Sequence, residues 1–372
     1  MIMPADILVC PESKVRLRRY NLSEATQRFF PDAPLRAATA TGYQPVGPTE
    51  QVMVRLDGRG AYPIKEDMPV LLAPEMLFPD DRPRHFDVTV EMYAEAYQEM
   101  EHYSLSAGRE AKNAGTSKHA QRLDALMGLS AEQRDLYPFP PGRWLDATYD
   151  CASQWDAFKH LAPSVRGGRV LQLGGRGAQA VKFLLAGAAE AWFATPMLGE
   201  VLYGRALARH CGVAHRFHGI VALAEQLPFL SGSFDAVYTQ GCVHHWKVDH
   251  ALPECARVLK SGGRFAAVEP WRAPLYGLGT KILGKRDRAV HCVVLTEPRV
   301  APLRSFHHSE IIHHGALTRY PLLALERAGL KPGRRSMWNL YRLDDAVTSA
   351  WPRLRDSGSS VALLATAGAT AS

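Results

Sequence analysis

Arg169-Val170-Leu171-Gln172-Leu173-Gly174-Gly175-Arg176-Gly177-Ala178 is the stretch whose reading decides the fold. A short apolar run ends in three glycines and feeds a second apolar run, Ala178 to Ala186, long enough for a helix. The unit is therefore strand, tight turn, helix. Glycine lets the backbone turn sharply and come close to a ligand at the head of a helix, where nucleotide-type ligands sit in open α/β sheets. Gly175, Gly177 and Ala180 also satisfy a G-x-G-x-x-A dinucleotide pattern, so that reading stays open at this point.

Downstream the same alternation repeats. Strand-like runs at Ala191 to Thr195, Gly219 to Leu223, Phe234 to Gln240 and Arg264 to Pro270 are separated by helical stretches at Leu198 to Cys211 and Ala251 to Leu259. Repeated βα units predict an α/β fold with a mostly parallel sheet covered on both faces. A last helix is expected over Leu317 to Ala328, followed by candidate strands at Arg335 to Leu343 and Val361 to Thr366. Upstream, residues 1–80 carry short β-like runs between prolines (Ile7 to Val9, Gln51 to Leu56, Ala61 to Ile64, Met68 to Leu72), a small β-rich domain. Residues 81–163 show helical periodicity at Val90 to Tyr103 and His119 to Met127 and a turn cluster at Pro138 to Gly142. They are expected to form a helical insert serving as a lid on the α/β domain of residues 164–372.

The chain has 372 residues, 47% hydrophobic and 22% charged, the balance of a globular protein with room for about two domains. No secretory leader and no run approaching the roughly 20 apolar residues of a membrane span are visible, so a cytoplasmic protein with no membrane partner is expected. Six cysteines lack any CxxC pair, which argues against a disulfide framework or a zinc site; no metal is expected. The net charge is +7, with basic clusters at Lys14 to Arg19, Lys281 to Arg288 and Arg353 to Arg355. These clusters are not interleaved with stacking aromatics, which favours a solvated surface over nucleic-acid binding.

The run Ala224-Glu225-Gln226-Leu227-Pro228-Phe229, then Gly232-Ser233-Phe234-Asp235, then Gly241-Cys242-Val243-His244-His245-Trp246 has a recognisable order and spacing. Glu254, Arg257-Val258-Leu259-Lys260, Gly262-Gly263 and Glu269-Pro270 continue it. Over about Val165 to Trp271 the chain resembles the class I S-adenosylmethionine-dependent methyltransferases, in particular the branch that C-methylates ubiquinone and menaquinone precursors. The resemblance implies a seven-stranded, Rossmann-like sheet with a reversed last strand, and S-adenosylmethionine at the carboxyl ends of the first strands. It implies cofactor contacts from Gln172, Gly174, Gly175, Gly177, Thr195, Ala224, Glu225 and Gln240. A small-molecule methyl acceptor is the implied substrate.

The chain departs from that family where acids are usual. Gln172 stands at the end of the first strand, Phe193-Ala194-Thr195-Pro196 at the end of the second, and Leu223 where an acid meets the adenine; Arg176 and Ala178 replace loop glycines. Each lost charge-assisted hydrogen bond is worth roughly 1.5 to 3 kcal/mol. Gln172, Thr195 or Glu200 stand in, or the nucleotide pocket is lost. The missing second-strand acid weakens the dinucleotide reading too. His244 and His245 follow the fourth strand, and Glu269 ends the fifth; these are the candidate catalytic residues, a histidine base against a packing role, and a base or cation-binding carboxylate against a capping one.

Ile7-Leu8-Val9-Cys10-Pro11 and Ala61-Tyr62-Pro63-Ile64 through Met68-Pro69-Val70-Leu71-Leu72 resemble the two ends of the small zinc-ribbon-like activators of tRNA and release-factor methyltransferases. Ser13 occupies the position of the second cysteine, so this copy is expected to be metal-free, a docking or lid module. His307, His308, Glu310, His313 and His314, with His291 upstream, form a further constellation. Read as a helix, His307, Glu310 and His314 share a face; a polar helix is the expectation over a metal site. Trp338, Tyr341 and Tyr320 read as core packing. Three functional readings remain: a small-molecule methyltransferase or another user of the same cofactor, a non-catalytic scaffold, and an enzyme modifying RNA or protein.

Overall fold

The structure, a computed structural model, describes residues 5–39, 42–45, 50–79, 104–130, 145, 150–272, 293–330 and 333–368. The expectations over Val90 to Tyr103, Pro138 to Gly142, Lys281 to Arg288 and His291 lie outside them.

The larger sheet runs β8 (Arg169–Leu173), β9 (Glu190–Thr195), β10 (Phe217–Val221), β11 (Phe234–Gln240), β12 (Leu259–Pro270), β13 (His308–His314) and β14 (Ser360–Thr366) along the chain. In space the order is β10-β9-β8-β11-β12-β14-β13, with β8 to β12 parallel and β14 antiparallel to both neighbours. The expected seven-stranded sheet with a reversed last strand is thus present. Its central strands are buried on both faces: Val170, Leu171, Ala236 and Val237 have no exposed surface, which is why they read as continuous apolar runs. The strand order reverses between β8 and β11, and at such a switch point the connecting loops diverge and leave a crevice at the carboxyl ends.

One face carries α4 (Cys151–Val165), α5 (Ala178–Leu185) and α6 (Leu198–His210), with α2 (Leu105–Ala111) and α3 (Lys118–Met127) of the insert outside them. The other face carries α7 (Val248–Val258) and the N-terminal module. That module is an antiparallel sheet of β1 (Leu17–Asn21), β2 (Arg36–Thr39), β3 (Gly42–Pro45), β4 (Gln51–Arg55), β5 (Ala61–Lys65), β6 (Met68–Pro69) and β7 (Leu77–Phe78), with α1 (Leu22–Phe29) after β1. It does not stand apart. Leu8, Tyr62, Leu71 and Met76 share one core with Trp192, Ile220 and Phe229 of the larger sheet. Val9 N–H donates to Pro228 (3.0 Å), Leu230 N–H to Ile7 (2.9 Å) and Leu71 N–H to Val221 (2.8 Å). The module therefore covers the β10 edge, which would otherwise present unpaired backbone groups. The Cys10 thiol lies in this core, 3.2 Å from the Tyr62 hydroxyl.

Several sequence expectations need correction. Ile7 to Val9 is a helical turn (Ala5–Ile7) followed by single bridges, and β10 begins two residues before the expected Gly219. The expected last helix is α8 (Arg319–Arg327), and the candidate strand Arg335 to Leu343 lies in a helix, α9 (Arg334–Ala350), because Met337, Tyr341, Asp344 and Thr348 are its buried positions, spaced i, i+4, i+7, i+11. The sixth strand is instead the histidine-rich segment expected as a helix. In β13 neighbouring Ile311 and Ile312 pack against the cores on opposite faces of the sheet, the period of two that defines a strand. His307, Glu310 and His314 therefore share no helix face, and no cluster able to hold a metal ion occurs among the described residues. Trp338 packs edge-on against Trp155 at 5.2 Å, and Tyr341 is buried.

His314 instead ties elements together. Its Nε2 lies 2.6 Å from Asp156 of α4 and its Nδ1 2.9 Å from Asp345 of α9. Burial opposes the charge, but the hydrogen bonds to Asp156 and Asp345 outweigh it and raise the pKa to about 9. A folded-state pKa above the unfolded one stabilises fully below pH ~6.5, and that contribution is lost as pH rises through about 9. Its size is on the order of 3 kcal/mol. Urea unfolding of the wild type should therefore show a falling stability between pH 6.5 and 9.5 that is reduced by that amount in His314→Gln; parallel pH profiles would show that the imidazole carries no such charge.

Candidate active site

The loop after β8 turns through three glycines with positive φ: Gly174 (+69°), Gly175 (+73°) and Gly177 (+74°). Gln172 holds it from below. Its side-chain amide donates to the Gly174 carbonyl (2.8 Å), and its oxygen accepts from Ala180 N–H (2.6 Å), tying the loop to the first turn of α5. A Cβ on Gly174 would sit 2.5 Å from Cys242 Sγ, so this loop lies directly against the turn after β11. At the end of β9 the buried Thr195 hydroxyl donates to Glu200 of α6 (2.9 Å), and Glu200 is itself buried. A carboxylate thus stands near the second strand's carboxyl end although the strand's last residues, Ala191 to Thr195, carry none.

The turn after β11, Val243–His245, holds both candidate histidines. Glu269, fully buried at the end of β12, accepts from Cys242 N–H (2.7 Å) and Val243 N–H (2.9 Å) with one oxygen and meets His244 Nδ1 at 2.6 Å with the other. The carboxylate both shapes the turn and fixes the imidazole through Nδ1. His245 stacks against His244, ring centroids 4.1 Å apart. Arg299 donates to the carbonyls of His244 and Trp246 (3.1 Å each), bracing the turn from outside. Gln240 accepts at Oε1 from Tyr238 and from Gln154 of α4, both at 2.9 Å. Ala224 is buried in the turn after β10, and Glu225 beside it accepts from Lys247 N–H (2.9 Å) at the head of α7.

The insert reaches the glycine loop through residues that no sequence pattern marked. Ser104 Oγ accepts from Gly199 N–H (2.9 Å), and α2 lies along the first turns of α6. Arg176, which replaces a loop glycine, pairs with Glu110 of α2, whose carboxyl pKa that hydrogen bond lowers, and lies over the Tyr203 ring at 5.5 Å. Further along α6, His119 meets the Tyr203 hydroxyl at 3.0 Å and Asp124 meets His210 at 2.7 Å. Close approach depends on glycine: a Cβ on Gly199 would fall 1.9 Å from the Ser104 carbonyl. Gly199→Ala is accordingly expected to push α2 off α6, costing about 1 to 3 kcal/mol and speeding amide exchange across 104–111. Unaltered exchange would mean that this contact does not hold the insert down.

The glycine loop, the Thr195–Glu200 pair and the His244–Glu269 pair thus end neighbouring parallel strands on the same edge of the sheet. Residues 187–267 match the methyltransferase domain family. Over 67 residues the chain is 43% identical to a ubiquinone/menaquinone biosynthesis C-methyltransferase of Brucella anthropi, 18% of this chain and 26% of that protein. The same enzyme of Bartonella tribocorum is 41% identical over 83 residues, 20% of this chain and 32% of that protein. The chain therefore spans only about a quarter to a third of the length of the curated relatives it matches. Among solved structures, a geranyl diphosphate methyltransferase in complex with SAM is 19% identical, covering 58% of this chain and 84% of that chain, with a TM-score of 0.42. The [4+2]-cyclase SpnF is 24% identical over 59% of this chain and 82% of that chain, with a TM-score of 0.41. Among the described residues no helix is long and apolar enough to cross a membrane.

Proposed function

We propose that this chain binds S-adenosylmethionine at the carboxyl edge of its parallel strands and transfers the methyl group to a small molecule, with His244 as general base. The observation that carries the reading is Glu269, one buried carboxylate that holds both the turn after β11 and the His244 ring. The backbone fits such a nucleoside: three left-handed glycines bring the chain close, and Thr195 with Glu200 supplies polar oxygens at the next strand. Gly174, Gly175 and Gly177 would cradle the amino-acid and ribose portions, Thr195 and Glu200 the ribose, and Ala224 the base. When bound, that cofactor supplies an electrophilic methyl group on a sulfonium. The protein's part is to align the acceptor and take its proton at His244 Nε2 as the acceptor's bond to the methyl carbon forms and the carbon–sulfur bond breaks. The insert excludes water through Arg176 and Glu110, and the N-terminal module, similar in its two ends to methyltransferase activators, braces the far edge of the sheet.

A second reading, a scaffold without the cofactor, is favoured by one feature: Gln172 already spends both ends of its amide on the loop, and Glu225 is engaged at α7. Calorimetric titration with S-adenosylmethionine separates the two. Micromolar binding with conversion to S-adenosylhomocysteine in cell extract is expected. Conversion to methylthioadenosine would mark a different use of the same cofactor, and no binding at millimolar concentration would leave the scaffold.

A further inference from the structure

At the opposite, amino end of β10 a cavity of about 180 Å³ opens between the N-terminal module and α6. Its polar lining is Arg19 and Asp67 from the module, Arg205 and Arg209 from α6 and His218 from β10, over the ring of Phe217. We propose that this inter-module cavity is a binding site for a phosphate group, free or carried by a small ligand, gripped by Arg19, Arg205 and Arg209.

Charge is the first argument. Three guanidinium groups face one carboxylate across a partly enclosed space, and Asp67 is mostly exposed, 3.5 Å from Arg19. Arg205 and Arg209 are four residues apart on α6, so they project from the same side. Burial first and the Arg209 charge second hold the Arg205 pKa below its usual value, against the opposing pull of Asp67 and Glu66. The Arg209 guanidinium makes no hydrogen bond or ion pair among the described residues, leaving its fork of donors available for an oxyanion.

The construction of the site is the second. Arg205 is oriented by a hydrogen bond to the Glu66 carbonyl (2.8 Å), and Arg19 by Gln51 (2.7 Å). Glu66 and Asp67 form the β5–β6 turn with φ of +52° and +62°, a left-handed conformation that non-glycine residues adopt at a cost. That strained turn brings the Glu66 carbonyl to Arg205 and the Asp67 side chain to Arg19. Phe217, which lines the same space, adds an apolar wall for whatever carries the phosphate. An anion here would join the module to α6, and so should also stabilise the fold.

The test is calorimetry and thermal unfolding of the full chain with inorganic phosphate and with ribose 5-phosphate, at constant ionic strength set with chloride. Saturable binding and a rise in Tm are expected, with Arg209→Gln binding roughly 10- to 100-fold more weakly and Arg205→Gln/Arg209→Gln not at all. Tighter binding of the ester than of inorganic phosphate would identify a small ligand as the source, and equal binding free phosphate; both support the site. Equal affinity in wild type and the double variant, or a Tm rise matched by chloride alone, would overturn it. Arg209→Gln should leave S-adenosylmethionine binding unchanged, so the two sites can fail independently.

Discussion

Gly175→Val should abolish S-adenosylmethionine binding, with an affinity loss of at least roughly 100-fold, while leaving the fold intact. The reason is directional. A Cβ at Gly175 meets no protein atom closer than Gln172 Nε2 at 3.5 Å, so the added bulk projects into the space a ligand would occupy. Its φ of +73° adds a backbone penalty of about 1 to 2 kcal/mol, small against the stability of a domain of this size. Gly174→Val makes the internal comparison. Its Cβ would collide with Cys242 Sγ at 2.5 Å, so the turn that carries His244 must move as well, and both binding and thermal stability should fall. Calorimetry and circular dichroism on the two variants distinguish ligand-side from protein-side effects, and an unchanged affinity in Gly175→Val would count decisively against the glycine loop as the pocket.

Glu269→Gln should lower turnover by roughly 100- to 10,000-fold with cofactor affinity within a few-fold. A glutamine oxygen can still accept from Cys242 and Val243 N–H, so the turn keeps its shape. Its amide nitrogen then faces His244 Nδ1, which must become an acceptor. The imidazole proton moves to Nε2, and the nitrogen aimed at the acceptor can no longer take a proton. The acid limb of the pH–rate profile should vanish with the activity, a change that a packing role would not produce. Glu269→Ala goes further: two buried backbone N–H groups lose their acceptor at about 1 to 3 kcal/mol each, and the variant should unfold earlier as well as lose activity. Glu269→Gln activity within threefold of wild type would remove His244 as the base.

The distance between partners separates what was legible in the sequence from what was not. β8 and β11 were placed residue for residue from their apolar runs, because both are buried on two faces and the signal is continuous. The glycine loop was equally plain, since left-handed φ at three positions requires glycine locally. His244 and Glu269 were both singled out, yet their meeting follows only from the parallel pairing of β11 with β12. Glu110 and Ser104 carried no mark at all, as ordinary residues whose role comes from where α2 lands on α6.

By itself, then, the sequence determined the alternation of strand and helix and the sharp turn after β8, both set by backbone conformation and apolar period within a few residues, while the reversed last strand was implied by the family resemblance. Tertiary structure alone decided that 308–314 is a strand, because β14 offers it a ladder that local propensity does not encode. It also decided that His314 lies between Asp156 and Asp345 and that Arg19 faces Arg205 and Arg209. Charges and hydrogen-bonding groups acquire their partners only after the core has closed, since the burial that makes such pairings strong does not exist in the extended chain.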